Sequence, residues 1–200
     1  MKQGLYIYLR KKRDQIFDPI VKSLHKAGVK ANWLSYTGIV IAFVVYYIAD
    51  KSLLAAMLVM LLAKIFDMLD GPLARHAGHT TKHGATTDIV CDQIVFFITM
   101  LALIKIGLIN VLLGGTLIFL IFTSKILRSV YSKTYQQFEN KYKDLLLPII
   151  VTAIPYFTAI VYYITGIPNY DVLFGCLAII LLFDIVYYLY KIVFTTSSHK

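Results

Sequence analysis

Six stretches of apolar residues, each about long enough to cross a bilayer, constrain this chain more than any other feature of its sequence. They fall at about 33–49, 53–75, 84–107, 110–131, 146–165 and 170–192, and a bilayer core takes about 20 helical residues. The separators are short and polar or turn-forming: Asp50-Lys51, Gly78 to His83, Gly107 to Asn110, Gln136 to Asp144, and Gly166 to Asn169. Lipid offers no hydrogen bonds to an open backbone, so the spans are expected to be helices. Composition agrees. Only 16% of residues are charged against 58% hydrophobic, where a soluble domain carries about 25% charged residues.

Basic residues set the expected orientation, because cytoplasmic flanks collect Lys and Arg. With the N-terminus inside, 17 of the 20 basic residues fall on the cytoplasmic side, leaving Lys51, Lys64 and Lys105. The expected fold is therefore all-α and integral to the membrane, with six transmembrane helices and both termini cytoplasmic. Residues 1–30 form a cytoplasmic segment ahead of a six-span domain at 31–200. Within that segment, Leu5, Tyr6, Tyr8, Leu9, Ile16, Phe17, Ile20, Val21 and Leu24 alternate with Lys and Arg at helical spacing. This is the pattern of an amphipathic helix lying in the membrane interface. The polar start does not resemble a cleavable signal peptide. The net charge of +9 sits beside the spans, which points to anionic lipid headgroups and not to nucleic acid. Cys91 and Cys176 lie in apolar runs without ligand spacing and are expected to be buried packing residues, not a disulfide or metal pair.

Carboxylates within spans are costly, on the order of 2.5–3.5 kcal/mol each at mid-bilayer, and mark functional sites. The second span ends Phe66-Asp67-Met68-Leu69-Asp70-Gly71-Pro72-Leu73-Ala74-Arg75, and the third begins Gly84-Ala85-Thr86-Thr87-Asp88-Ile89-Val90-Cys91-Asp92. Asp67 and Asp70 share one helix face, and Asp88 and Asp92 share another. A short connection packs the two helices antiparallel, so the acidic faces can meet. Four carboxylates so placed need cations, and all-oxygen ligation selects Mg²⁺, Mn²⁺ or Ca²⁺. A pair of such metals is common apparatus for phosphoryl chemistry. Around them, Gly71 admits a ligand close to the backbone, Arg75 offers a planar fork suited to phosphate, and Gly84, Thr81 and Lys82 add room, a hydroxyl and a charge.

The run Asp67-x2-Asp70-Gly71-x2-Ala74-Arg75-x8-Gly84-x3-Asp88-x3-Asp92 resembles the signature of the CDP-alcohol phosphotransferases, class I. The resemblance implies six spans, a juxtamembrane N-terminal helix, a homodimer and a cytoplasm-facing active site in the cell membrane. It implies two Mg²⁺ or Mn²⁺ ions holding the diphosphate of a CDP-linked lipid while an acceptor hydroxyl attacks the β-phosphoryl group and expels CMP. It assigns Asp67, Asp70 and Asp88 to the metals, and Asp92 to deprotonating the acceptor while touching one metal. It places Gly71 and Arg75 against CDP, joined by Asn32 and Ser35 of Asn32-Trp33-Leu34-Ser35 and by Thr81.

Which alcohol attacks stays open. Lys125, Arg128 and Lys133, near the cytoplasmic end of the fourth span, match where the branches using inositol phosphate or glycerol 3-phosphate hold the acceptor's phosphate. Positive-inside anchoring accounts for them equally well. Phe66 to Gly71 leans toward the inositol-phosphate branch, but Tyr131-Ser132-Lys133-Thr134 and Lys141-Tyr142-Lys143-Asp144 replace its arginine-rich segments. An unphosphorylated alcohol such as serine or inositol is the alternative. Lys64 falls on the acidic face and is expected to pair with Asp67. The loop histidines His76, His79 and His83 read as surface residues. A cation transporter is the rival class, and Asp184, inside the sixth span, is the residue that fits it best.

Overall fold

The computed structural model describes residues 2–78, 82–135 and 143–195. Among these residues the chain forms seven α-helices and no strand: α1 (Lys2–Lys26), α2 (Ala31–Ile48), α3 (Leu53–His76), α4 (Lys82–Lys105), α5 (Val111–Tyr135), α6 (Lys143–Thr165) and α7 (Asp171–Thr195). The six apolar segments and the basic N-terminal segment thus each became one helix, with ends within a few residues of expectation.

Among the described residues, four stretches are long and apolar enough to cross a membrane: Ala31–Ile48, Thr87–Lys105, Val111–Tyr131 and Asp171–Phe194. α3 has the length, but Lys64, Asp67 and Asp70 interrupt its apolar run. In α6 the apolar stretch Ala153–Thr165 is shorter. Large apolar side chains face outward along these helices, among them Val40 at 63%, Phe119 at 67% and Phe183 at 73% exposure. Water would make that surface costly, whereas lipid does not. The chain is a multi-pass membrane protein.

The helices form two compact units, Met1–Thr99 and Met100–Lys200, whose boundary falls inside α4. In the first, α2 and α3 are joined by a short turn in which Ser52 caps α3, accepting a hydrogen bond from the Ala55 N–H at 3.3 Å. α1 lies against this pair. Val21 of α1, Leu34 of α2, and Leu69 and Leu73 of α3 form a buried cluster, with Phe17, Leu24, Val29, Ala31 and Phe66 around it. The apolar side of α1 is therefore split: Phe17, Val21 and Leu24 pack on protein, while Ile16 and Ile20 stay exposed.

In the second unit, α5 packs on α7, with Leu117, Phe174, Leu177 and Leu181 fully buried. The loops preceding these two helices are stitched together. Tyr170 N–H donates to the Leu108 carbonyl at 3.0 Å, and Asn110 N–H donates to Asp171 Oδ1 at 2.8 Å.

Candidate functional site

Helical spacing does most of the work of building this site. Asp67 and Asp70 stand one turn apart near the C-terminal end of α3, and Asp88 stands in the second turn of α4. The structure brings all three together: one carboxylate oxygen from each lies within 4.8 Å of the others. Asp70 is buried, and Asp67 and Asp88 are half-buried. Asp92, one turn beyond Asp88, is exposed and lies outside this trio.

Three carboxylates in so small a volume repel one another strongly, the more so where water is thin. Ser35 of α2 donates its hydroxyl to Asp70 Oδ2 at 3.2 Å. Lys64 Nζ donates to Asp67 Oδ2 at 2.6 Å, the pairing its position on the acidic face led us to expect. Opposite oxygen ligands of one Mg²⁺ sit about 4.2 Å apart and those of one Ca²⁺ about 4.8 Å. The oxygen spacing of the trio therefore fits a hard divalent cation, and an all-carboxylate donor set excludes a soft one.

Next along α3, Gly71 opens a space that two guanidinium groups enter. A Cβ placed on it would stand 3.3 Å from Arg75 Nη1 and 3.8 Å from Arg13 Nη2. Between the arginines lies Asp14 of α1. Arg75 holds it with two bonds, Nε to Oδ2 at 3.1 Å and Nη2 to Oδ1 at 2.7 Å. Arg13 reaches Oδ1 at a longer 3.4 Å. Partial burial of the Asp14 carboxyl opposes its ionisation, but the hydrogen bonds and charge of Arg75, aided by Arg13, prevail and hold it below its ordinary 3.8.

Of the other residues singled out in the sequence, Asn32 is half-buried in the first turn of α2. Thr81, His79 and the side chains of Lys82 and His83 lie outside the described residues. Lys125, Arg128 and Lys133 fall on α5 in the second compact unit, with Lys133 described only in its backbone. Arg128 is engaged within that unit: its Nε and Nη2 donate to Asp184 at 3.1 and 2.6 Å, and Ser124 Oγ donates to the same carboxylate at 2.5 Å. Asp184 is thus held by helix α5.

The family model described as CDP-alcohol phosphatidyltransferase matches residues 29–193, nearly everything after α1. The chain belongs to the CDP-alcohol phosphatidyltransferase family. Among curated proteins it is similar to a phosphatidylinositol phosphate synthase of Corynebacterium glutamicum, 35% identical over 92 residues. That match spans 45% of this chain and 42% of the relative. No solved structure matches the chain. Members of a phosphatidyltransferase family are enzymes, and the aspartate trio, Ser35, Gly71 and Arg75 all lie inside the matched residues. Arg13 and Asp14 lie before them. Reasoning from sequence missed this pair, although a signal existed: Asp14 shares its helical face with Phe17, Val21 and Leu24, the residues that dock α1.

Proposed function

We propose that this protein transfers a phosphatidyl-type group from a CDP-linked lipid to the hydroxyl of a small polar acceptor, releasing CMP, in phospholipid synthesis. One observation carries the reading: the Asp67, Asp70 and Asp88 oxygens converge within 4.8 Å, with Ser35 bonded to Asp70 and Arg75 over the adjoining Gly71. Asp67, Asp70 and Asp88 would hold divalent Mg²⁺ or Mn²⁺. The metals, when bound, supply positive charge that steadies the transferred phosphoryl oxygens and lowers the pKa of a nearby hydroxyl.

The chain's own residues do the rest. Gly71 leaves the backbone open to the donor, and Arg75 places a cation beside it, with Asn32, Ser35 and Thr81 completing the CDP pocket. Asp92, one turn past Asp88 on α4, is the acceptor's base in this reading. It removes the hydroxyl proton as the new P–O bond forms and the bond to CMP breaks. The active site faces the cytoplasm of the cell membrane in a six-span homodimer with both termini inside.

For the acceptor we favour a phosphorylated polyol, inositol phosphate or glycerol 3-phosphate, with its phosphate held by Lys125, Arg128 and Lys133. The similarity to a phosphatidylinositol phosphate synthase supports the first of these. The test supplies a CDP-lipid with Mg²⁺ or Mn²⁺ and measures CMP release with glycerol 3-phosphate, inositol phosphate, serine and inositol in turn. Metal-dependent release with one acceptor is expected. No release with any acceptor rejects the reading.

A further inference from the structure

The matched family residues begin at 29, yet a side chain from α1 reaches the site. We infer that Arg13, on the N-terminal helix, binds the diphosphate of the CDP-linked donor together with Arg75, which makes α1 part of the donor site. The inference rests on the donor reading above and extends it to a residue outside the matched segment.

Geometry carries it. Arg13 Nη2 and Arg75 Nη1 approach the same point above Gly71, from helices whose residues are far apart in sequence. Gly71 directly follows Asp70, one of the trio. Two guanidinium groups converging on one space repel unless negative charge lies between them, and Asp14 supplies only one such charge. The trio of Arg13, Asp14 and Arg75 therefore keeps a net positive charge facing the gap that Gly71 leaves. Both arginine side chains retain solvent contact, 36% for Arg13 and 28% for Arg75, so an anion can reach them. The Arg13 bonds to Asp14 are long at 3.4 Å, which leaves this guanidinium the looser of the two and the easier to turn toward a ligand. Paired planar forks are the chemistry that recognises phosphate oxygens.

A purely structural role for Arg13 predicts otherwise, since a partly exposed pair contributes little to stability. A lipid-headgroup role also predicts otherwise, because it needs a membrane anion and not the nucleotide. Both alternatives are separated by measuring soluble CDP binding with Mg²⁺ by calorimetry, using the full chain in nanodiscs of zwitterionic lipid. Arg13→Gln is expected to weaken CDP binding about tenfold or more, as loss of a charge-assisted bond does, and to raise KM for the CDP-lipid by a similar factor with kcat little changed. Arg13→Lys should recover part of the loss. Lys12→Gln, removing an equal charge from the exposed side of α1, should bind as wild type does. The melting temperature without CDP should match wild type in all three variants, while the shift that CDP produces shrinks in Arg13→Gln. An Arg13→Gln protein that binds CDP as tightly as wild type overturns the inference, even if it binds anionic vesicles less well. Wild-type protein that binds no CDP overturns the donor reading itself, and this inference with it.

Discussion

At the scale of single residues, the division of labour among the aspartates is the point most open to measurement. Asp67, Asp70 and Asp88 converge within 4.8 Å, and Asp92, exposed one turn past Asp88, is not one of those three. Asp92→Asn is therefore expected to cut turnover by about 10²–10⁴-fold, the usual contribution of a positioned acid or base, while CDP binding survives. Asp70→Asn should lose CDP binding and turnover together, because it removes an oxygen from the centre of the trio. Calorimetry alongside CMP release distinguishes the two, and equal loss of binding in both variants would refute the assignment. Beside Asp92, Gln93 is 7% exposed and has a side-chain amide without a partner among the described residues. A buried amide left so costs about 1–3 kcal/mol, and Gln93→Met should raise the melting temperature. At this scale the sequence was legible wherever cost and spacing spoke: carboxylates within apolar runs cannot be incidental. It was silent on Asp14, because an acid among surface lysines looks the same whether it faces water or an arginine 61 positions away.

Helix packing decides what those residues can reach. The apolar residues of α1 suggested an interfacial helix, and Ile16 and Ile20 remain exposed in that manner. Phe17, Val21 and Leu24 instead dock on α2 and α3, and the Asp14–Arg75 pair sits at the polar end of the same contact. Periodicity shows that a helix has an apolar face, but not whether lipid or protein covers it, which is why the docking could not be read beforehand. The lowered pKa of Asp14 fixes the sign of one pH effect. Its folded value lies below the ordinary 3.8, so the stabilisation is present above that value and is lost as pH falls through the lower one. Docking of α1 should therefore hold across neutral and mildly acidic pH. Asp14→Asn should loosen it at neutral pH by about 1 kcal/mol, given the partial exposure of the pair, read as faster amide exchange in α1. A stronger effect belongs to α5 and α7. Their pair Arg128–Asp184 is only 15% and 11% exposed, and removing one partner leaves a buried charge uncompensated at about 3–5 kcal/mol. Asp184→Asn should lower thermal stability sharply, and Arg128→Met with Asp184→Leu should restore much of it.

For the whole molecule, the length and order of the helices were written in the apolar segments, and no packing was needed to find them. The harder quantity is topology. α3 shows why: the charges Lys64, Asp67 and Asp70 that build the site also spoil the apolar run that would mark a span, so function and membrane signal compete for the same residues. Charge bias gives a topology to test, because 17 of 20 basic residues fall on one side if six helices cross with both ends inside. Under that arrangement the turn between α2 and α3 faces outward and the end of α1 faces the cytoplasm. Single cysteines test it directly in a background where Cys91 and Cys176 are replaced by alanine. Lys51→Cys, at an exposed turn, should react with a membrane-impermeant maleimide on intact cells. Lys26→Cys, exposed at the end of α1, should react only after the cells are opened. Placing both on the same side of the membrane would require α2 not to cross it. Ser35 would then have to reach Asp70 from a helix lying outside the bilayer, although the rest of α2 presents Val40, Phe43 and Tyr47 to lipid. Labelling on opposite sides is the expected result, since α2 can bury that surface in lipid only by crossing the bilayer.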